Sequence, residues 1–404
     1  MPEGSIAPSP SIAPTYARAP IAFERGEGCF LISTDGQRYL DFGSGIAVNA
    51  LGHSHPVLVE ALQDQAAKLW HTSNLYEIPH QRDLAEKLTA NTFADLVFFA
   101  NSGAEALEGC IKAARRFHHL QGNPQKYRII GANSAFHGRT LATISAGNNA
   151  KHLEGFGPRV EGFDHVAFNN LNELRAAITA ETAAVLVEPI QGEGGIAPAD
   201  LSYLTALRET CDEFGILLIY DEVQCGVGRT GRLFAHQWAN GTADPDLMAV
   251  AKGIGGGFPL GCFMGTAAAM SGISAGMHGT TYGGNPLASR VGCAVMDVMM
   301  QPGFMERVYA ASNRLWDGMG AVVEANPHVY QMRRGAGLMQ GVMVAEPYTC
   351  GEIVARLRDD HHILTVPAGQ NVIRLLPPLI VSDAEIDAAL DAFRAVGAAM
   401  KARV

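Results

Sequence analysis

The stretch GILLIYDE, residues 215–222, runs apolar without a break from Ile216 to Tyr220 and then meets two acids, Asp221 and Glu222. A short apolar run with no polar alternation reads as a strand covered on both faces. LVFFA (96–100), RIIGA (128–132), AAVLVEP (183–189) and LMAVAKG (247–253) have the same character. Helix-like sequence lies between several of them, as in AEALEGCIKAARRFHH (104–119), ELRAAIT (173–179) and LTALRETCDEFG (204–215). Buried strands alternating with helices predict an α/β fold with a mostly parallel central sheet.

The last third changes character. LASRVGCAVMDVMM (287–300) and ERVYAASNRLWDGMGAVVEANP (306–327) read as long helices, and GLMQGVMV (337–344) and NVIRLLP (371–377) as short strands. A closing helix is expected after Ser382, whose capping box with Glu385 precedes an apolar face at Ile386, Leu390 and Phe393. The reading is a large domain over 61–295 and a smaller α+β domain made from 1–60 and 296–404, with 1–14 as a loose Pro/Ala/Ser-rich arm.

A chain of 404 residues can hold a large core and a second domain, and 48% hydrophobic with 17% charged residues is ordinary for a folded globular protein. A net charge of −10 argues against a binder of nucleic-acid backbones. No apolar run reaches the roughly 18 residues that a membrane span needs. Seven scattered cysteines without a C-x-x-C fit a reducing compartment rather than a disulfide or zinc scaffold. The N-terminal stretch lacks the apolar core of a secretory signal, and the location expected is the cytoplasm.

Ligands of open α/β sheets bind beyond the carboxyl ends of the strands. LVFFA empties into Asn101, Ser102, Gly103 and Ala104 before a helix, which offers either an anion cradle or a simple serine cap. GILLIY empties into Asp221, as a partner for a cationic ring nitrogen or as an ordinary cap or surface acid. AAVLV leads to Glu188 and Glu193 in a Gly/Pro-rich loop, and RIIGA is followed by Phe136, His137, Gly138 and Arg139. LMAVA empties into Lys252, a lone cation in VAKGIGGGFPLG (250–261). The glycines are expected to keep bulk away from the lysine nitrogen and to hold a nearby turn tight. An anion site, a carboxylate for a pyridine nitrogen, an aromatic cover and an amine for a Schiff base are together what pyridoxal 5′-phosphate requires.

NSGAEA (101–106), FHGRTLAT (136–143), EPIQGEGG (188–195), DEVQCGVGRTG (221–231), AKGIGGGFPLG (251–261) and HGTTYGGNPLA (278–288) resemble the class III, fold type I aminotransferases. The likeness runs from about Tyr16 to the C-terminal helix. It implies Lys252 as the Schiff-base lysine and proton shuttle, Asp221 on the pyridine nitrogen and Gln224 near the ring hydroxyl. Ser102, Gly103 and Ala104 would hold the phosphate and Phe136 would stack on the ring. Thr281 would reach the phosphate of a neighbouring subunit, making a homodimer with shared sites. Arg139 would take a distal substrate carboxylate and Arg374 the α-carboxylate of glutamate, with Glu193 neutralising Arg374 when the other substrate is bound. DFGSGIAVNALGHSHP (41–56), KLWHTSNLY (68–76) and NVIRLLPPLIV (371–381) narrow the resemblance to members that pass the δ-amino group of N2-acetylornithine to 2-oxoglutarate in arginine biosynthesis. Ile46 stands where the ornithine-using members carry a tyrosine, which implies an N-acylated amine.

Other readings stay open. The amine could be succinylornithine, succinyldiaminopimelate, ornithine or 4-aminobutyrate. Gly272–Gly276 matches the G-x-S-x-G of serine hydrolases around Ser274, but no apolar strand precedes it. A silent binding module would have no need of Lys252, Asp221 and both arginines. His53 and His55 read as structural rather than metal-binding, and His118 with His119 as cations suited to a helix C-terminus.

Overall fold

The computed structural model describes residues 11–400, so most of the arm expected over 1–14 lies outside the described residues. The centre is a seven-stranded sheet of β1 (Leu96–Ala100), β2 (Arg128–Ala132), β3 (Phe163–Val166), β4 (Thr182–Val187), β5 (Leu217–Asp221), β6 (Leu247–Val250) and β7 (Gly261–Gly265). Across the sheet the order is β1-β7-β6-β5-β4-β2-β3. β7 pairs antiparallel with both β6 and β1, and the other neighbours are parallel. The fold is therefore α/β with a mostly parallel sheet.

Every residue of β4 and β5 is buried. In β5 the side chains part by turns: Leu217 and Ile219 join one apolar cluster, Leu218 and Tyr220 another. This is how an unbroken apolar run behaves between two helical layers. On one face lies the helix Gly103–Leu120, with Ala106, Leu107, Cys110 and Ala114 inward. Its Gly109 takes the ring of Phe263 so closely that an added Cβ would sit 2.3 Å from it.

β3 and β7 were not anticipated. β3, FDHV, is an edge strand with two polar residues, and β7, GCFMG, has glycine at both ends and follows the glycine loop directly. His118 also differs from expectation. It is buried, its Nε2 lies 2.8 Å from the Ala183 carbonyl, and burial lowers its pKa. It therefore serves the packing of the helix on the sheet rather than the helix dipole. Ser274 lies in an exposed turn after the short helix Ala267–Met270, without the strand that a nucleophile elbow requires.

The N-terminal strands Phe23–Glu27, Phe30–Ser33 and Arg38–Asp41 form a meander that Ile363–Leu364 extends, pairing parallel with Arg38–Asp41. A second four-stranded sheet, Tyr330–Ala336, Met339–Val344, Val372–Leu375 and Val366–Ala368 in that order, is antiparallel throughout. The helices Phe304–Ala325 and Asp383–Ala399 pack beside it, with Arg314 and Asp387 paired at 2.5 Å. Ser382 and Glu385 make the full capping box at the start of the last helix. All seven cysteines are free, and no described helix is long and apolar enough to cross a membrane.

Candidate active site

A cavity of about 320 Å³ opens at the carboxyl ends of the parallel strands. Ser102, Gly103, Ala104, Phe136, Asp221, Gln224 and Lys252 all line it, together with His137, Glu188 and Val48. The sheet brings these positions together because, Val48 apart, they lie at or just beyond the carboxyl ends of β1, β2, β4, β5 and β6.

Asp221 closes β5 and is almost wholly buried. Its Oδ2 lies 2.8 Å from Nδ1 of His137, and its Oδ1 accepts from the Val223 amide at 3.0 Å. Burial presses the His137 pKa down, but the hydrogen bond and charge of Asp221, with Glu188 behind it, outweigh burial and leave it raised. Glu188 accepts from the Phe136 amide at 3.1 Å. Burial, reinforced by the charge of Asp221, pushes Glu188 up to about 8. The adjacent acid Glu222 turns away and accepts from the amides of Ala235 and His236 at 2.6 and 2.8 Å. Of the two acids after the decisive strand, one faces the cavity and the other caps a turn.

Lys252 begins the 3₁₀ turn Lys252–Gly255 with a left-handed φ of 50°. Among the described residues its ammonium has no hydrogen bond or ion pair. Burial lowers its pKa, against the opposing pull of Glu193 and Asp221, which favours the neutral amine. The following glycines do hold a tight turn, Gly256 and Gly257 having φ of 54° and 118°. Their missing side chains give way to Leu58 and Asn49, whose atoms would lie 2.7 and 2.9 Å from an added Cβ, rather than to Lys252 itself.

At the start of the helix Gly103–Leu120, Ser102 accepts from the Glu105 amide at 3.3 Å, so the cap is real and the hydroxyl proton remains to be donated. Free backbone amides at this positive end suit an anion. Val223 closes against Gly103, where an added Cβ would lie 2.7 Å from Cγ1. A half-buried amine without a partner at the cavity wall, a buried carboxylate with a second donor behind it and an amide-lined helix end fit pyridoxal 5′-phosphate.

Arg374, in the strand Val372–Leu375, is buried; its Nη1 meets Glu193 Oε1 at 2.5 Å and Gln224 Oε1 at 3.4 Å, and its Nη2 donates to the Pro367 carbonyl at 3.1 Å. Gln224 is thus tied to the arginine. Arg139 is exposed, with its guanidinium 5.5 Å from the centre of the Phe136 ring. Thr281 lies apart, exposed in a separate depression shared with Asn101, Glu105 and Tyr282.

Two features were missed in the sequence. His137 carries no role that its motif alone assigns, yet it holds the cavity carboxylate Asp221. Asp41 carries none either, yet its Oδ1 accepts from the amides of Gly43 and Ser44 at 2.9 Å while His53 holds its Oδ2 at 2.8 Å. That strut supports a run of left-handed residues, Ser44 to Ala47 with φ between 48° and 64°, which delivers Val48 to the cavity. The only sequence signal for it was the glycine pair of DFGSG.

Fold and site together define a pyridoxal-phosphate-dependent transferase of fold type I. The family model described as "Aminotransferase class-III" matches residues 11–396, and the chain belongs to that family. Acetylornithine aminotransferase of Mesorhizobium japonicum is 58% identical, the alignment covering 94% of each chain. Among solved structures, N-acetylornithine aminotransferase from Stenotrophomonas maltophilia superposes with a TM-score of 0.82 at 36% identity, covering 95% of this chain and 97% of that one. Ornithine aminotransferase from Toxoplasma gondii reaches 0.92 at 29% identity, covering 96% and 93%. The backbone is common to both activities, so the choice of amine resides in side chains.

Proposed function

We propose that this chain moves the δ-amino group of N2-acetylornithine to 2-oxoglutarate, giving N-acetylglutamate 5-semialdehyde and glutamate, reversibly, as a step of arginine biosynthesis. The observation that carries the reading is the contact of Glu193 with Arg374, 2.5 Å, at a site that also holds Lys252. One site must serve two substrates in turn, and only glutamate presents a carboxylate beside its reacting carbon. An arginine left unpaired next to an apolar δ-carbon would be costly once water is excluded, and a glutamate that swings in and out removes that cost. The names of the relatives and the apolar Ile46 support an acylated amine over free ornithine.

When bound, pyridoxal 5′-phosphate supplies an aldehyde that condenses with amines and a cationic ring that withdraws electrons from the reacting carbon. Ser102, Gly103 and Ala104 would hold its phosphate, Phe136 its ring face, Asp221 its ring nitrogen, Gln224 its ring hydroxyl and Lys252 its aldehyde carbon. Lys252 Nζ, whose pKa burial lowers, would be the base that takes the proton from the amine's δ-carbon, and in the return half would deliver a proton to the α-carbon of the keto acid. Arg139 would bind the distal carboxylate and Arg374 the α-carboxylate.

The reading includes a cytoplasmic homodimer in which Thr281 reaches the partner's phosphate site. The exposed apolar residues Trp70, Leu75, Tyr76 and Tyr282 support a second copy on that face. It also includes the division into a cofactor-binding part over 61–295 and a smaller part from 1–60 and 296–404. The test is the visible absorption of the cofactor-loaded protein as N2-acetylornithine, succinylornithine and ornithine are added separately without keto acid. Bleaching by N2-acetylornithine at the lowest concentration is expected. Bleaching first by another amine overturns the substrate, and no lysine-bound cofactor band overturns the mechanism.

A further inference from the structure

Glu193 does not stand alone against Arg374. Its loop, between Ile190–Gln191 and Ala197–Pro198, meets the turn before the arginine's strand at a point of very close approach. The Gly369 amide donates to the Glu193 carbonyl at 3.0 Å. Gly195, with φ of 102°, would place an added Cβ 2.7 Å from the Gly369 carbonyl oxygen. Two further residues of this contact, Ile196 and Gln370, are held at left-handed φ of 51° and 56°. Strain of this kind persists where surrounding contacts enforce it.

Arg334, in the neighbouring strand Tyr330–Ala336, touches both tips. Its Nη1 donates to Gln370 Oε1 at 2.6 Å and to the Gly195 carbonyl at 3.4 Å. Among the described residues it has no carboxylate partner; its Nη1 serves the two loops, while its Nη2 lies 3.9 Å from Met343 Sδ in the adjacent strand.

We propose that Arg334 is a positioning residue for substrate exchange, clamping the Glu193 loop to the 369–371 turn so that Glu193 engages and releases Arg374 by side-chain rotation on a fixed backbone. The clamp rests on the reading of Glu193 and Arg374 as the device that adapts one site to two substrates. Without it the loop samples positions from which Glu193 fails to reach the arginine. Arg374 is then uncompensated more often when the acylated amine binds, whereas glutamate and 2-oxoglutarate bring their own carboxylate.

The test measures each half-reaction of the holoenzyme separately in single turnovers, for Arg334→Ala, Arg334→Lys, Glu193→Ala and the Glu193→Ala/Arg334→Ala double variant. Loss of one charge-assisted hydrogen bond predicts that Arg334→Ala raises half-saturating N2-acetylornithine about three- to tenfold and half-saturating 2-oxoglutarate less than about twofold. Arg334→Lys restores most of the difference. On the Glu193→Ala background Arg334→Ala adds nothing, because the residue it positions is gone. Faster hydrogen exchange over 192–196 in Arg334→Ala, with no substrate present, is the matching structural readout. Gln370→Ala removes the other jaw and must give the same selective shift, which keeps the test alive if Arg334→Ala fails to fold. Equal shifts for both substrates, or a full extra effect in the double variant, overturn the clamp. A Glu193→Ala variant with unchanged preference overturns the two-substrate device itself, and the clamp with it.

Discussion

Replacing His137 by phenylalanine isolates what stands behind the cavity carboxylate. The ring is fully buried and the substitution keeps a flat group of similar size, so packing changes little. What changes is Asp221. One of its oxygens keeps the Val223 amide at 3.0 Å, and the other loses the imidazole at 2.8 Å while Glu188 stays nearby. A buried hydrogen bond to a charged group contributes about 2 kcal/mol, which corresponds to roughly 30-fold in affinity. The protein itself loses less stability than this, because His137 Nε2 is buried without a partner and its removal relieves a desolvated polar atom. His137→Phe is therefore expected to weaken pyridoxal 5′-phosphate about 30-fold by fluorescence titration of the apoenzyme. His137→Asn, which retains a nitrogen donor, recovers most of this. The pH dependence follows from the raised His137 pKa. A folded-state value above the unfolded one gives stability that is fully present below the ordinary histidine value and is lost as pH rises through the raised value. The melting difference between wild type and His137→Phe should accordingly shrink as pH rises through that window. Cofactor affinity within about threefold of wild type, or an Asn variant as weak as the Phe variant, refutes the reasoning.

Lys252→Ala is expected to lower turnover by about a thousandfold or more, with the visible band shifting to that of cofactor not joined to lysine; a variant with wild-type turnover sinks the role given to this amine. Gly109→Ala drives a methyl group into the Phe263 ring, 2.3 Å away, and should cost about 1–3 kcal/mol by denaturant unfolding with cofactor chemistry intact, whereas an unchanged midpoint would mean that the ring can give way. Arg139→Ala should raise half-saturating 2-oxoglutarate roughly tenfold or more through loss of a charge-assisted contact, and a change confined to kcat would assign Arg139 elsewhere.

How much of this was legible in the sequence follows from where the physical signal lies. Four of the central strands announce themselves because both of their faces are covered, which forces continuous apolar runs such as Leu217–Tyr220, and β1 reads the same way although it is an edge strand with Leu96 exposed. β3 was hidden because an edge strand tolerates Asp164 and His165, and β7 because its terminal glycines read as more of the preceding loop. Lys252 and Asp221 were legible as charges set directly after buried strands. The Glu193–Arg374 contact joins residues 181 positions apart, so no local pattern could show it and only family resemblance suggested it. His118 misled because a histidine in a last helical turn looks like a dipole partner until the sheet beneath it supplies a carbonyl.

The reversed strand β7 explains why the lysine loop belongs to the site. A parallel successor to β6 would need a crossover of about a dozen residues or more, usually a helix, carrying the chain away from the carboxyl-end face. An antiparallel successor can start where its predecessor ends. Residues 251–260 therefore stay on that face, and Ala251, Lys252, Gly257, Phe258, Pro259 and Leu260 all line the cavity. β7 then enters between β6 and β1, with Gly261 so near the Ser102 carbonyl that an added Cβ would lie 2.6 Å from it. One glycine thus lets the strand leaving the lysine loop press against the residue that opens the anion cradle. The reversal and that close approach together bring the amine and the helix N-terminus, distant in sequence, into the lining of one small cavity.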